Sequence, residues 1–199
     1  MNHQRRNLLA GLAWSLVSVG CWQCTPDSPP AIDYDQRAAQ VMSDLKPQLV
    51  GTWKLQQVHV TLNGPNRINR LGLSQDTTFQ DVALLTIVPA AVPRQTPVDP
   101  RYSDYEGTIQ YKTKTYPVQF NMWPGTRVYS PSQQGPQAFL LFSFHFPNGT
   151  RFPEPEETFL ESLGLINETF SLETTVGQPA MQWVGLNRGI QRIDFVRQP

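Results

Sequence analysis

The feature that most constrains the fold of this chain is a series of short segments in which apolar and polar residues alternate, separated by turn-forming residues. The clearest is 137–146, where Leu140, Phe142, Phe144 and Phe146 occupy one face of a strand. Short links favour antiparallel neighbours, and up-and-down strands can close into a barrel. An open meander and a β-sandwich are the alternatives. We predict eight strands, at residues 50–62, 79–88, 106–111, 115–123, 137–146, 169–175, 180–186 and 190–197.

The first predicted strand needs an irregularity to bury its apolar residues on one side. In an ideal strand, Trp53 and Leu55 fall on one face and Val58 and Val60 on the other. Because side chains alternate with a period of two, one extra residue brings both pairs to the same face. We therefore predict a β-bulge near residues 56–57.

Two helices accompany the strands. Residues 33–45 place apolar side chains at helical spacing, with Asp33 as the N-cap and Pro47 as the end. Residues 153–163 form a second, short helix that ends at Gly164. The predicted fold is therefore all-β: an antiparallel, up-and-down, eight-stranded barrel with an N-terminal helix and one short inserted helix.

The charge balance excludes one class of partner. Sixteen basic and sixteen acidic residues cancel, whereas a nucleic-acid-binding protein needs a dense basic surface. We therefore expect no nucleic acid among the partners. Only two cysteines are present, Cys21 and Cys24, and both precede the predicted domain. The domain itself is thus expected to hold no disulfide and no thiolate metal site.

The N-terminus has the pattern of an export signal. Two arginines, Arg5 and Arg6, precede an uncharged apolar run over 8–20, which is too short to span a bilayer. Cys21 follows Gly20, a small residue of the kind that lipoprotein signal peptidase prefers. These features predict a signal peptide over 1–20, a lipidated Cys21 within a flexible tether over 21–32, and a domain over 33–199. The protein would then be a membrane-anchored lipoprotein of the bacterial envelope, on its periplasmic or surface face.

Two other interpretations of the cysteines stay open. Ser18 stands where lipoprotein signals usually have leucine, which leaves a plain secretory signal as an alternative. The spacing of Cys21 and Cys24 also matches a redox motif, but such motifs belong at a helix N-terminus inside a βαβ unit. Here the pair precedes a proline-rich stretch instead.

The segment Leu-Val-Gly-Thr-Trp-Lys-Leu over 49–55 resembles the opening strand of lipocalin-like domains, which carry Gly-x-Trp near its start. It is most similar to the lipocalin-like lipoproteins of Bacteroidetes. The resemblance implies that Trp53 closes the barrel floor under an arginine from the last strand, either Arg192 or Arg197. We take Gly51, Trp53 and Arg192 as the structural motif.

The resemblance also implies an interior that binds a small hydrophobic ligand. Aromatic residues occur on most of the predicted strands, and lipocalin interiors are lined in this way. Simple core packing is the alternative. In that case the chain is a structural or interaction module of the envelope that acts through loops such as 89–100. The candidate ligand-binding residues are Trp53, Tyr111, Phe120, Phe142, Phe144 and Trp183.

The sequence offers little for catalysis. His59 and His145 lie within predicted strands, and Ser143 is too close to His145 along the same strand to form a hydrolase site. The glutamates of the second helix (Glu154, Glu156, Glu157 and Glu161) have the pattern of a solvated helix face. We therefore predict no enzyme activity, no catalytic residues, no metal and no cofactor. The expected partners are a membrane, through the lipid anchor, and a small hydrophobic ligand.

Overall fold

A computed structural model describes residues 33–62, 71–92, 103–125, 137–146, 151–172, 179–187 and 189–199. The predicted signal peptide, the lipidated Cys21 and the tether over 21–32 lie outside the described residues, as does most of the loop 89–100. Among the described residues, no helix is both long enough and apolar enough to cross a membrane.

Strands dominate the described part of the chain. In chain order the elements are α1 (Tyr34–Leu49), β1 (Gly51–Val60), β2 (Thr77–Gln80), β3 (Leu84–Pro89), β4 (Tyr105–Tyr111), β5 (Lys114–Gly125), β6 (Gln137–Phe144), α2 (Pro155–Leu163), β7 (Glu168–Leu172), β8 (Ala180–Gly185) and β9 (Ile190–Arg197).

The strands form a closed antiparallel barrel. From β3 to β9 each strand pairs with the next along the chain, and β1 pairs with both β3 and β9. The β1–β9 pairing closes the sheet on itself, so that eight strands (β1 and β3–β9) form a ring. Closure excludes the open meander and the sandwich. The predicted fold class is confirmed.

The short strand β2 is part of a predicted strand that a bulge divides. Residues 77–80 and 84–87 pair with successive parts of β1. Between them, Asp81 has a φ of 50° and donates its backbone N–H to the carbonyl of Gln56 at 2.9 Å. The predicted strand 79–88 is therefore continuous in its pairing and broken only in its backbone conformation.

The bulge predicted in β1 is confirmed. The pairing of β1 with β9 shifts register between Leu55 and Gln57. As a result, Trp53, Leu55, Val58 and Val60 are all buried, although they occupy both faces of an ideal strand.

Helix α1 covers the end of the barrel at which β1 begins. Asp33 caps it by accepting the N–H of Gln36 at 3.0 Å. The predicted end at Pro47 is wrong, because the helix continues to Leu49. Leu49 is buried in the barrel core, and its carbonyl accepts the indole N–H of Trp53 at 2.8 Å. These contacts offset the backbone hydrogen bond that a proline inside a helix removes.

Helix α2 covers the opposite end. Glu154 and Glu157 form a capping box at its start, and Gly164, with a φ of 84°, ends it. The ring of Phe159 stacks on Tyr111, with centroids 5.1 Å apart, and meets the edge of Phe79. The predicted short helix before Gly164 is confirmed.

Tyr105 links α1 to β4, and it makes the free energy of unfolding sensitive to pH in the alkaline range. Its hydroxyl donates to the carbonyl of Lys46 at 3.2 Å. Burial, and secondarily the charge of Asp104, raise the pKa of Tyr105 from 10.0 to about 12. The protonated phenol is thus favoured in the folded state, and its contribution is complete below pH 10 and is lost as the pH rises towards 12.

We therefore expect the free energy of unfolding to fall between pH 10 and pH 12, and to fall less steeply in Tyr105→Phe. Urea unfolding across this range measures both slopes. Tyr111→Phe is the control, because Tyr111 lies under the other helix. Equal slopes for wild type and Tyr105→Phe would contradict the assignment.

Candidate functional site

The barrel interior is filled by aromatic rings in mutual contact. Trp183 lies at their centre, with centroid distances of 6.2 Å to Phe120, 6.1 Å to Phe142, 5.5 Å to Phe170 and 4.5 Å to Phe195. Phe120 and Phe142 also stack on each other at 4.7 Å. All five side chains are at most 1% exposed. These distances are those of rings in van der Waals contact.

The predicted ligand-binding residues divide into three places. Phe120, Phe142 and Trp183 belong to this interior cluster. Trp53 lies at the barrel end covered by α1. Tyr111 stacks on α2, and Phe144 contacts the rings of Tyr116 and Phe146 near the same end. The six described residues therefore lie in three parts of the barrel.

One polar atom of the interior cluster has no described partner. The indole nitrogen of Trp183 is buried and makes no hydrogen bond among the described residues. An unsatisfied buried donor costs about 1–3 kcal/mol.

The arginine that packs on Trp53 is Arg197. Its guanidinium lies 5.4 Å from the centroid of the Trp53 ring, and one of its nitrogens donates to the carbonyl of Val50 at 2.8 Å. A Cβ on Gly51 would lie 3.1 Å from this guanidinium, and Gly51 has a φ of 140°. Glycine is therefore suited to this position both by conformation and by space.

The assignment of Arg192 to the Trp53 motif is wrong. Side chains alternate along β9, so that Arg197 shares a face with Phe195, which is buried, whereas Arg192 does not. Arg192 instead donates to Asp194 at 3.1 Å on the outer wall of the barrel. The alternation of β9 is the signal that selects Arg197.

Mutation of each arginine measures how much Arg197 and Arg192 contribute to stability. We expect Arg197→Ala to lower the free energy of unfolding by about 1–2 kcal/mol, because it removes a charged hydrogen bond and a cation–π contact. Arg192→Ala is the matched control, with an expected loss of about 0.5 kcal/mol for an exposed ion pair. Urea denaturation compares the two, and a larger loss for Arg192→Ala would contradict the assignment.

His59 belongs to a polar ladder on the outer wall. Its Nδ1 lies 3.1 Å from Thr78 Oγ1 and its Nε2 lies 2.9 Å from Asp194 Oδ2. Asp194 also accepts from Gln182 at 2.8 Å. These residues face each other across neighbouring strands, so the ladder ties the strands together. Both ring nitrogens of His59 are thus engaged.

The second histidine lies elsewhere. His145 is exposed just after β6 and donates its backbone N–H to the carbonyl of Pro117 at 3.0 Å. No described contact joins it to His59. Within the described ranges, no group of three or more His, Cys, Asp or Glu side chains is placed to hold a metal ion.

The acidic helix is only partly solvated. Glu157 is 3% exposed and accepts two hydrogen bonds from Arg151, which corrects the expectation of a solvated face at this position. Glu154 accepts from the Tyr116 hydroxyl at 2.7 Å and from Lys114 at 3.3 Å. These two hydrogen bonds, that from Tyr116 first, hold the pKa of Glu154 below its usual value. Glu154 thus fixes the start of α2 to β5.

A pocket that was not predicted from the sequence lies outside the barrel. We call it the outer-wall pocket; it has a volume of about 360 Å³ and is lined by Trp123, Phe139, Thr169, Leu186 and Asn187. The three side chains that lie on strands, Trp123, Phe139 and Thr169, point away from the interior. Trp123 alternates with the buried Met122, and Thr169 alternates with the buried Phe170. This alternation of inward and outward residues is the sequence signal that could have located the pocket.

Comparison of the chain with protein-family models, curated proteins and solved structures gives no match.

Proposed function

We propose that this chain is a lipid-anchored protein of the bacterial envelope, in which the barrel is a rigid, non-catalytic scaffold that acts through its outer surface. The observation that carries the proposal is the interior cluster of five aromatic side chains, each at most 1% exposed. Rings in contact at 4.5–6.2 Å leave no room for a ligand between them.

The closure of the barrel supports a scaffold role. Eight strands that pair in a ring leave no free sheet edge in the ring itself. A helix packs on each end, through Leu49 at one end and Phe159 at the other. A closed and packed body of this kind holds its surface groups in fixed positions, and loops and outer-wall residues are then the places where a partner can bind.

The lipid anchor is supported by the N-terminal sequence. Arg5 and Arg6 precede the apolar run 8–20, and Gly20 precedes Cys21. Acyl chains on Cys21 would hold the protein at a membrane, because each buried methylene contributes about 0.8 kcal/mol. The proline-containing segment 25–31 would act as an extended spacer between the anchor and the domain.

The anchor is tested by mass spectrometry of the mature N-terminus and by membrane fractionation. Wild type is expected to begin at an acylated Cys21 and to sediment with membranes. Cys21→Ser is expected to lose the lipid mass and the sedimentation, whereas the control Cys24→Ser keeps both. An unmodified N-terminus, or equal behaviour of the two variants, would contradict the anchor.

The scaffold role is tested separately by crosslinking in intact cells. A photoreactive amino acid placed at Val88, which is 43% exposed at the end of β3, should capture an envelope component. The same group at Gln110, on the exposed face of β4, serves as a second position. Capture at neither position would count against a surface-mediated role.

The Trp183 indole nitrogen, which is buried and makes no described hydrogen bond, favours a second function: binding of a small apolar ligand inside the barrel, for which the rings around Trp183 would have to move apart. A ligand with an acceptor oxygen would satisfy this donor. Native mass spectrometry of protein purified from its own envelope tests this function. A bound mass that disappears in Trp183→Phe supports it, and an unliganded mass in the wild type argues against it.

A further inference from the structure

We infer that the hydroxyl of Thr78 is an acyl-acceptor site, activated by His59 and Asp194 on the outer wall of the barrel. We call these three residues the threonine triad. The donor that the site would take is an activated acyl ester or thioester. The inference goes beyond the proposed function, because a covalent modification of the surface requires neither the lipid anchor nor a bound partner.

The pairing of three strands brings the threonine triad together. Thr78 on β2 is the direct cross-strand partner of His59 on β1, and β1 also pairs with β9, which carries Asp194. Val60 and Ile193, which adjoin His59 and Asp194 along their strands, are buried in the core. Because side chains alternate along a strand, the triad lies on the outer face, where Thr78 is exposed.

Two hydrogen bonds set the chemistry of the triad. Nε2 of His59 lies 2.9 Å from Asp194 Oδ2, and Nδ1 lies 3.1 Å from Thr78 Oγ1. A carboxylate can only accept, so Asp194 favours the tautomer in which the ring proton is on Nε2. The lone pair of Nδ1 then faces the threonine hydroxyl. A nucleophile within hydrogen-bond reach of a base, which a third group orients, is the signature of nucleophilic activation.

Arg192 also contacts the triad. Its Nη2 lies 3.0 Å from His59 Nε2, and its Nε donates to Asp194 Oδ2 at 3.1 Å. If Nε2 carried the lone pair, it could accept from Arg192, but it would face an oxygen of Asp194 at 2.9 Å, and two acceptors repel each other. With the proton on Nε2, His59 donates to Asp194, and Arg192 keeps the same carboxylate as its partner. We therefore assign the proton to Nε2.

The reaction is a transfer of one acyl group. Thr78 Oγ1 attacks the carbonyl carbon of the donor while its proton passes to Nδ1 of His59. The bond from that carbon to the leaving oxygen or sulfur then breaks, and the leaving group takes the electron pair of the bond and the proton from His59. The products are an ester on Thr78 and a free alcohol or thiol, so the reaction requires no oxidant or reductant. A positioned base accelerates such a step by about 10²–10⁴.

The test is the acetylation of the purified protein by p-nitrophenyl acetate, with the acetyl groups located by peptide mass spectrometry. We expect the initial rate at Thr78 to exceed that at Thr115 by about a hundredfold, the lower end of what a base supplies. Thr115 is the matched control residue, because it is also an exposed threonine on a strand of the barrel, β5. This comparison uses the unaltered protein, so it does not depend on the folding of any variant.

Three variants identify the groups responsible. His59→Gln keeps a hydrogen-bonding side chain but removes the base, and it should bring the rate at Thr78 down to that at Thr115. Asp194→Asn should slow the reaction at Thr78 about tenfold, because an amide can also donate and no longer fixes the tautomer. Lys54→Ala, which removes another ion-paired side chain of β1, should leave the rate unchanged. Circular dichroism verifies that each variant is folded.

Two results would overturn the inference: equal rates of acetylation at Thr78 and Thr115 in the wild type, or an unchanged rate at Thr78 in folded His59→Gln. Residues that only tie the strands together would give these results, because they would not activate the hydroxyl. An unchanged rate in folded Asp194→Asn would overturn the orienting role of Asp194.

Discussion

Trp183→Ala is expected to lower the free energy of unfolding by about 3–5 kcal/mol. The side chain is fully buried and touches four other aromatic rings, so its removal leaves a large cavity in the centre of the barrel. Urea unfolding measures the loss. If the barrel already contained empty space around Trp183, the free energy of unfolding would fall by less, because fewer packing contacts would be lost.

Two further tryptophan variants sharpen this measurement. Trp123→Ala removes a half-buried tryptophan from the outer wall, and we expect a loss of about 1 kcal/mol. Trp183→Phe retains a ring and deletes the indole N–H that has no described partner, so its loss should be about 1–2 kcal/mol. Equal losses for Trp183→Ala and Trp123→Ala would contradict a packed interior.

Gly107→Ala is expected to cost about 3 kcal/mol or more, because it forces two paired strands apart. A Cβ on Gly107 would lie 1.8 Å from the backbone oxygen of Thr86 on the neighbouring strand β3. A backbone oxygen cannot rotate away as a side chain can. The β3–β4 pairing would have to separate locally, and the ring of strands would be strained.

Gly72→Ala is the control for glycine replacement in general. Gly72 has a φ of 66°, but a Cβ there would meet no atom within 4 Å. Only the conformational cost remains, about 1 kcal/mol. Heat or urea unfolding compares the two variants. A cost for Gly107→Ala as small as that for Gly72→Ala would contradict the close approach of β3 and β4.

The fold could be predicted where the alternation of apolar and polar residues in the sequence matches the burial of side chains in the structure. The switch of face between Leu55 and Val58 requires a bulge, and the structure places a register shift there. By contrast, Asp81 is a residue type that tolerates a positive φ, but nothing in the sequence around it requires one or predicts the break between β2 and β3. Pro47 favours a helix end, yet the burial of Leu49 and its bond to Trp53 extend α1 past it. Local preference yields to tertiary contacts in such cases.

The functional site was less predictable for a physical reason. Alternation tells which side chains point inward, and it correctly placed Phe120, Phe142 and Trp183 inside. Whether inward rings meet depends on the barrel's radius and on the stagger of its strands, which no local pattern encodes. The outer-wall pocket depends on residues from separate segments, such as Trp123 on β5 and Asn187 after β8, which come together only when β5 to β8 pair.

The most direct test of the packed interior is a titration of the purified protein with palmitate, monitored by calorimetry and by tryptophan emission. The Trp123→Phe variant limits the signal from the domain to the buried Trp53 and Trp183. A packed barrel predicts no saturable heat and unchanged emission. One-to-one binding that changes the emission of Trp123→Phe, and is lost in a folded Trp183→Ala, would contradict it.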